Sequence, residues 1–486
     1  MPVEAQSLAE DSSMPFSLVK LPIFAGLTLS LLAFAAHTPA KPDTAAGARE
    51  DDPLVLKKLD WFRDQKFGFM MHWGPYSQWG VVESWSLCPE DEDWCQRKGP
   101  YGQNYWKYKT EYEGLKTTFN PVKFDPASWA AAAKAAGMRY LVFTTKHHDG
   151  FCMFDTRKSD YKITDSACAF HANPKSNVVM EVFNAFRAAG FGIGAYFSKP
   201  DWHSANYWWP YFPPLDRQVN YDVKKHPDRW KAFQQFTYDQ IEELMTGYGS
   251  VDILWLDGGW VNPSSKGQDV DIPRIAAMSR SHQPGLIVVD RAVPGRYENY
   301  RTPEQEVPEK PLDDPWETCM TMGNSWSYVP DDTYKPAWKL IHLLVDIVAK
   351  GGNFLLNVGP GPDGTLPPTA LLRMNEIGAW MDVNGSAIYS TRPIAPYREG
   401  EVRYTELRDK SVSAIYLSEK EGDGLPAVVR LPSFAPAPGS KVVLLGTSAP
   451  LTWEVRGKGC VITIPGEVRR HPPCNHAWTF RFTPAR

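Results

Sequence analysis

Seven short apolar runs, at residues 67–72, 139–145, 192–198, 251–257, 286–290, 317–321 and 353–358, are separated by longer stretches, several with helical patterning, and this alternation constrains the fold more than any other feature. Consecutive parallel strands need a long crossover, usually a helix, so the repeat means a parallel sheet. Its length favours closure into a (β/α)8-like barrel over an open, doubly wound sheet. Several helices are clearly punctuated. Asp125-Pro126 opens one that runs through an alanine-rich centre to Gly137, residues 178–189 end at Gly190, 227–245 lead into the fourth run, and 334–350 end at Gly351-Gly352. No GxGxxG opens a helix after the first run, which weakens a dinucleotide-binding sheet. The runs number seven rather than eight, and 291–335 lacks helical periodicity, so the expected barrel is irregular there.

The fourth run, Val-Asp-Ile-Leu-Trp-Leu-Asp-Gly-Gly-Trp at 251–260, stops abruptly at a carboxylate. With a side-chain period of two, Val251, Ile253, Trp255 and Asp257 share one face, expected to point into the barrel, while Leu254 and Leu256 face the helices. Chemistry in such barrels sits where the strands end, so Asp257 looks into the mouth. Three other runs also end in polar clusters: Met71-His72-Trp73-Gly74, Thr145-Lys146-His147-His148-Asp149-Gly150, and Leu356-Asn357-Val358-Gly359. A lone strand-end histidine is usually structural, but four polar ends converging on one mouth argue for a site.

Adjacent His147 and His148 raise the question of a metal. Neighbours in a regular strand point to opposite faces, and the His-x-His pattern that would set two rings on one face is absent. No metal and no cofactor are therefore expected. A net charge of -4 without a Lys/Arg block argues against nucleic acid as a partner. Aromatic residues make up 13% of the chain, and their flat apolar faces suit a ligand such as a sugar, besides filling the core.

At the N-terminus Lys20 precedes an apolar stretch, 21–36, with Ala33-Phe34-Ala35 as a cleavage site. The stretch is short of the roughly 20 residues that a span needs, so it reads as an export signal and not a stable membrane anchor. Acidic residues before Met14 are unlike the basic n-region of a signal, which leaves Met1 and Met14 both open as the start of translation. The expected division is a leader at 1–40, a linker at 41–54, a barrel at 55–388 and a β-rich domain at 389–486, with runs at 411–417, 426–431, 441–446, 460–464 and 477–482 that read as an antiparallel β-sandwich. That domain is expected to brace the barrel. Seven cysteines are no disulfide framework, although Cys88 with Cys95 and Cys460 with Cys474 are close enough in sequence to pair in an oxidising compartment.

The segments 67–77 (FGFMMHWGPYS), 145–151 (TKHHDGF), 255–260 (WLDGGW) and 351–360 (GGNFLLNVGP) resemble, in the same order, the signature blocks of the family 29 glycoside hydrolases, the α-L-fucosidases. The resemblance covers roughly residues 55–390 and implies the same barrel followed by a β-sandwich. It also implies a retaining, metal-free hydrolysis by two carboxyl groups that releases terminal fucose from oligosaccharides or glycoconjugates. Asp257 falls on the family's nucleophile. Glu304 best matches the acid/base position, with Glu306 as the alternative and Glu298 as a remote one. His72, His147, His148 and Arg291 match sugar-binding positions. Trp85 matches the tryptophan of a Glu-Trp motif, but Ser84 is inserted between Glu83 and Trp85, which puts the acidic contact in doubt. After the third strand Tyr196-Phe197-Ser198 stands where the family often has Tyr-Tyr-Ser. Trp255, Trp260 and Trp316 complete the expected lining. A periplasmic or extracellular destination, or a lysosome-like compartment in a eukaryote, follows from the export signal. A barrel glycosidase acting on a related sugar such as a galactoside, and a fucose-binding protein without catalysis, are the alternative readings.

Overall fold

The computed structural model describes residues 49–90 and 92–485, so the leader and most of the linker lie outside the described residues. Its larger part is a curled sheet of seven parallel strands: Phe67–Met71 (β1), Tyr140–Lys146 (β2), Gly192–Ser198 (β3), Ile253–Asp257 (β4), Ile287–Asp290 (β5), Glu317–Thr321 (β6) and Asn353–Asn357 (β7). They pair in the order β5-β4-β3-β2-β1-β7-β6. Every residue of all seven is buried, which is why each reads as an apolar run: both faces are covered.

The edge strands β5 and β6 are not paired with each other. Residues 297–306 lie between them and hydrogen-bond to both. Asn299 N donates to Val288 O at 3.1 Å and Asp290 N to Tyr297 O at 2.8 Å, in antiparallel sense. The chain then turns and runs parallel to β6, with Glu317 N donating to Arg301 O at 2.9 Å and Gln305 N to Cys319 O at 3.0 Å. This segment takes the place of the eighth strand. With Pro303 and three glutamates it has no apolar run, and its pairing is confined to isolated bridges.

The side-chain faces follow the period-two reading for Ile253, Trp255, Leu254 and Leu256. Ile253 and Trp255 join the inner cluster with Met70, Tyr196 and Val289, whereas Leu254 and Leu256 pack toward the helices. Val251 is a correction: it precedes the strand and belongs to the helix-facing cluster. The helix Pro53–Gln65 starts inside the segment expected to be linker. Asp52 caps it, accepting from Leu54 N at 2.8 Å, and proline occupies its first turn. Its Val55, Leu59 and Phe62, one helical face, enter the inner cluster below the strands.

Beyond Ser390 a five-stranded antiparallel sheet and a three-stranded one enclose a second core containing Tyr404, Leu431, Ile462 and Phe480. Arg392–Glu399 and Thr452–Arg456 are strands that the apolar pattern did not mark. The first carries two prolines and charges at one edge of its sheet, and the second is largely exposed. This sandwich is tied to the barrel helices Ala337–Ala349 and Pro368–Asn384. Trp338 Nε1 donates to Ser418 Oγ at 2.8 Å, Trp380 Nε1 to Ala477 O at 2.9 Å, and Arg403 Nε to Asp346 Oδ1 at 2.5 Å. All seven cysteines are free thiols. No helix among the described residues is long and apolar enough to cross a membrane.

Candidate active site

The strand ends open into a cavity of about 670 Å³. Asp257, the last residue of β4, projects into it and is 7% exposed. Oδ2 accepts from the Tyr196 hydroxyl at 2.6 Å, and Oδ1 accepts from Arg291 Nη1 at 2.7 Å and from Gly258 N at 2.8 Å. Burial alone would push the carboxyl up, but the Arg291 charge and the Tyr196 hydrogen bond outweigh it and hold Asp257 well below the usual carboxylate range. Asp257 is thus an ionised carboxylate with fixed direction. Gly258 makes the turn beyond it at φ +90, where an added Cβ would lie 2.4 Å from Pro200 Cδ.

Arg291, just after β5, also bonds Glu304 through Nη2, so both carboxyl groups share one guanidinium. Glu304 lines the cavity with a side chain 41% exposed. The other two candidates lie elsewhere. Glu306 faces an outer groove with Pro308 and Leu312, and Glu298 is turned away and paired with Arg301. Of the three, Glu304 alone lines this cavity.

The three imidazoles meet at the cavity wall, and their hydrogen bonds decide which nitrogen carries the proton. Asn357 Nδ2 donates to Trp326 O at 2.6 Å, so its Oδ1, 2.8 Å from His72 Nδ1, accepts. His72 then offers a bare Nε2. Ser198 donates to Pro200 O at 2.8 Å, so its Oγ accepts from His148 Nδ1 at 2.6 Å, and His148 also offers a bare Nε2. Ser84 Oγ accepts from Asp149 N at 2.9 Å and gives its one proton to His147 Nδ1 at 2.6 Å, so His147 offers Nε2–H. Burial lowers all three rings, His72 and His148 to about 4, so they are neutral at pH 7. Two acceptors and one donor at a wall suit the hydroxyls of a sugar.

His147, His148 and Asp257 have donor atoms within 4.8 Å of one another, close enough for one metal ion. The local chemistry points elsewhere: Arg291 already neutralises Asp257, and Ser84 holds His147 with a proton on its cavity-facing nitrogen.

Aromatic rings form the rest of the wall. Trp255 lies below Asp257, with Tyr196 stacked on it at 5.3 Å. Of the pair Tyr196-Phe197, it is Tyr196 that reaches the cavity, while Phe197 joins the helix-facing cluster. Trp85 meets His148 edge-on at 5.4 Å and Trp260 at 5.8 Å. Trp316 is a correction. It precedes β6, at the end opposite the mouth, and its ring lies against Gly352 in the helix-facing cluster, outside the cavity.

Sequence reasoning missed several lining residues. Glu83 keeps its place in the cavity despite the inserted Ser84, because its backbone turns at φ 29 and Ser84 points below to His147. Its Oε1 accepts from Ser327 N at 2.7 Å, and burial, with Glu304 and Asp257 nearby, pushes the carboxyl up to about 8. Glu83 is therefore a neutral acid able to donate. Arg217, held by Glu90 at 2.8 Å, lies between Trp85 and Trp260, and Trp326 stands 5.1 Å from His72. Both come from loops without a strand-end pattern. Asn357, one of the polar strand ends marked in the sequence, acts on the site through its hydrogen bond to His72.

The sequence model described as "Alpha-L-fucosidase" matches residues 38–386, and that described as "Alpha-L-fucosidase C-terminal domain" matches 396–483. The chain is 28% identical over 457 residues to the α-L-fucosidase of Branchiostoma floridae, covering 88% of this chain and 94% of that one. Among solved structures it is similar to α-L-fucosidase isoenzyme 1 from Paenibacillus thiaminolyticus, with TM-score 0.71, 28% identity, and coverage of 89% and 100%. It is also similar to Thermotoga maritima α-fucosidase in complex with fucose, with TM-score 0.68, 26% identity, and coverage of 87% and 96%.

Proposed function

The chain belongs to the α-L-fucosidase family, and from that premise we propose that it is a retaining exo-α-L-fucosidase in which Asp257 is the nucleophile and Glu304 the acid/base. The observation that carries the assignment is the Arg291 guanidinium shared by these two cavity carboxyl groups, one buried and held ionised, the other at the open side.

A terminal fucosyl residue enters with its hydroxyls against the His72, His147 and His148 wall, where neutral Glu83 adds a donor. An Asp257 oxygen attacks the anomeric carbon, and the bond to the leaving oxygen breaks as Glu304 gives that oxygen a proton. To act as an acid, Glu304 must leave Arg291 and take up a proton when substrate binds. The product of this step is a fucosyl ester of Asp257. Glu304, now a carboxylate, removes a proton from water, which attacks the same carbon from the opposite side and releases Asp257. Two inversions give net retention. Throughout, Arg291 and Tyr196 stabilise the charge that leaves and returns to Asp257, as preoriented donors in a buried site.

The substrate is a fucosylated oligosaccharide or glycoconjugate. Following the anomer first released from an aryl α-L-fucoside by NMR tests the scheme: the α anomer is expected, and first release of the β anomer refutes it. Faster turnover of aryl galactosides would point to a related sugar, and fucose binding without any turnover to a binding protein. Export is part of the proposal and rests on the apolar stretch at 21–36, and N-terminal sequencing of the mature protein tests it.

A further inference from the structure

Inside the barrel, under the cavity, lies a carboxyl group with no part in that chemistry. Glu317, the first residue of β6, is fully buried and is met by three donors from three other parts of the chain. Tyr140 of β2 donates to Oε2 at 2.6 Å, while Trp255 Nε1 of β4 and the Tyr300 hydroxyl each donate to Oε1 at 3.3 Å.

Two of these donors lead to opposite halves of the site. Trp255 is the platform of the nucleophile: Tyr196 stacks on it, the Arg291 guanidinium lies 5.1 Å from its ring, and both are donors to Asp257. Tyr300, stacked on Phe62 at 4.3 Å, is the last residue before the chain turns to run beside β6 toward Glu304. That stretch meets β6 through bridges at Arg301 and Glu304 and is tied at its far end by Gln305 to Thr321 and by Glu306 to Thr318, so the Tyr300 hydroxyl is the side-chain anchor at its start, on the approach to Glu304. We propose that Glu317 is a positioning residue that ties the Trp255 platform beneath Asp257 to the Tyr300 anchor of the Glu304 segment, and so sets the relation of the two catalytic carboxyl groups. The proposal rests on the roles given above to Asp257 and Glu304.

A purely space-filling role fits the chemistry poorly. Burial pushes Glu317 up to about 7 against its three donors and the Arg291 charge, and an apolar side chain of similar volume would avoid that cost. What a carboxylate adds is the ability to accept from several directions at once and hold the donors in one arrangement.

Glu317→Gln keeps the length and replaces one acceptor oxygen with an amide donor, while Tyr300→Phe keeps the ring and cuts only the link to the acid/base segment. Glu317→Gln is expected to lower kcat about tenfold or more on both an aryl α-L-fucoside with a poor leaving group and α-L-fucosyl fluoride, with KM within about threefold. Tyr300→Phe is expected to lower kcat about fivefold or more on the aryl fucoside and less than about twofold on the fluoride, which leaves with little need of a proton. If both folded variants keep kcat within about twofold of the parent on both substrates, the proposal is overturned. Should circular dichroism show Glu317→Gln unfolded, the Tyr300→Phe split between the two substrates decides alone. A parent protein inert on both substrates would refute the fucosidase reading instead, so the two failures are distinguishable.

Discussion

The Tyr196 hydroxyl reaches Asp257 Oδ2 at 2.6 Å from one layer lower in the barrel, since the register neighbour of Asp257 on β3 is Ser198 and that of Tyr196 is Trp255. Stacking on Trp255 aims the phenol upward, so Asp257 is oriented from the floor of the site as well as from Arg291. Tyr196→Phe keeps the stack and removes the bond. A hydrogen bond to a charged group contributes about 1.5–3 kcal/mol, so kcat/KM on an aryl α-L-fucoside should fall by about tenfold or more. Unchanged kinetics would deny the phenol a part in orienting Asp257.

The two carboxyl groups differ in what azide can rescue. Asp257→Ala should lose nearly all turnover, and azide filling the vacated space should yield a fucosyl azide of inverted configuration. Glu304→Ala should lose about 10²–10⁴-fold with poor leaving groups, and azide should then intercept the glycosyl-enzyme and give the retained anomer. Product NMR separates these outcomes, and retained azide from Glu306→Ala instead would move the acid/base role to Glu306.

Stability should respond to pH from both sides. His72 and His148 are lowered by burial to about 4 from an ordinary 6.5, so between these values the unfolded chain binds protons that the native state refuses. Their contribution therefore falls as pH drops from about 6.5 to about 4. Glu83 acts in the opposite sense. Raised by burial to about 8 from 4.5, it keeps its proton in the native state while the unfolded chain loses it, so its contribution falls as pH rises through that window. Thermal midpoints of Glu83→Gln relative to the parent should thus climb from about pH 5 to about pH 8, and a flat difference would contradict the burial of an acid there.

The turn after Asp257 has no room for a side chain. Gly258→Ala must hold alanine at φ +90 with its Cβ 2.4 Å from the Pro200 ring, and Gly258 N is itself a donor to Asp257. A stability loss of about 1–3 kcal/mol in denaturant titration is expected, together with a fall in kcat that exceeds any change in KM.

Much of the site was legible because burial on both faces writes each barrel strand as an apolar run, and a polar residue at its end stands out. Period-two parity placed Trp255 and Asp257 inward, and the resemblance named their roles. Val251 went wrong because parity was carried past the start of β4. Trp316 went wrong because a residue at the start of a parallel strand lies at the end of the barrel away from the mouth. The segment at 297–306 was invisible as a strand because it pairs antiparallel with β5, turns, and then runs parallel to β6 through isolated bridges.

By itself the sequence determined the barrel-and-sandwich division, the direction in which Asp257 points, and the set of histidines around it, since hydrophobic periodicity and local motifs are properties of short stretches. Tertiary structure alone decided that Glu304 rather than Glu298 or Glu306 lines the cavity, that Glu83 stays there despite an inserted serine, and that Glu317 links Trp255 to Tyr300. Those relations join residues far apart in the chain, through hydrogen bonds and burial that exist only once the strands have closed around a common axis.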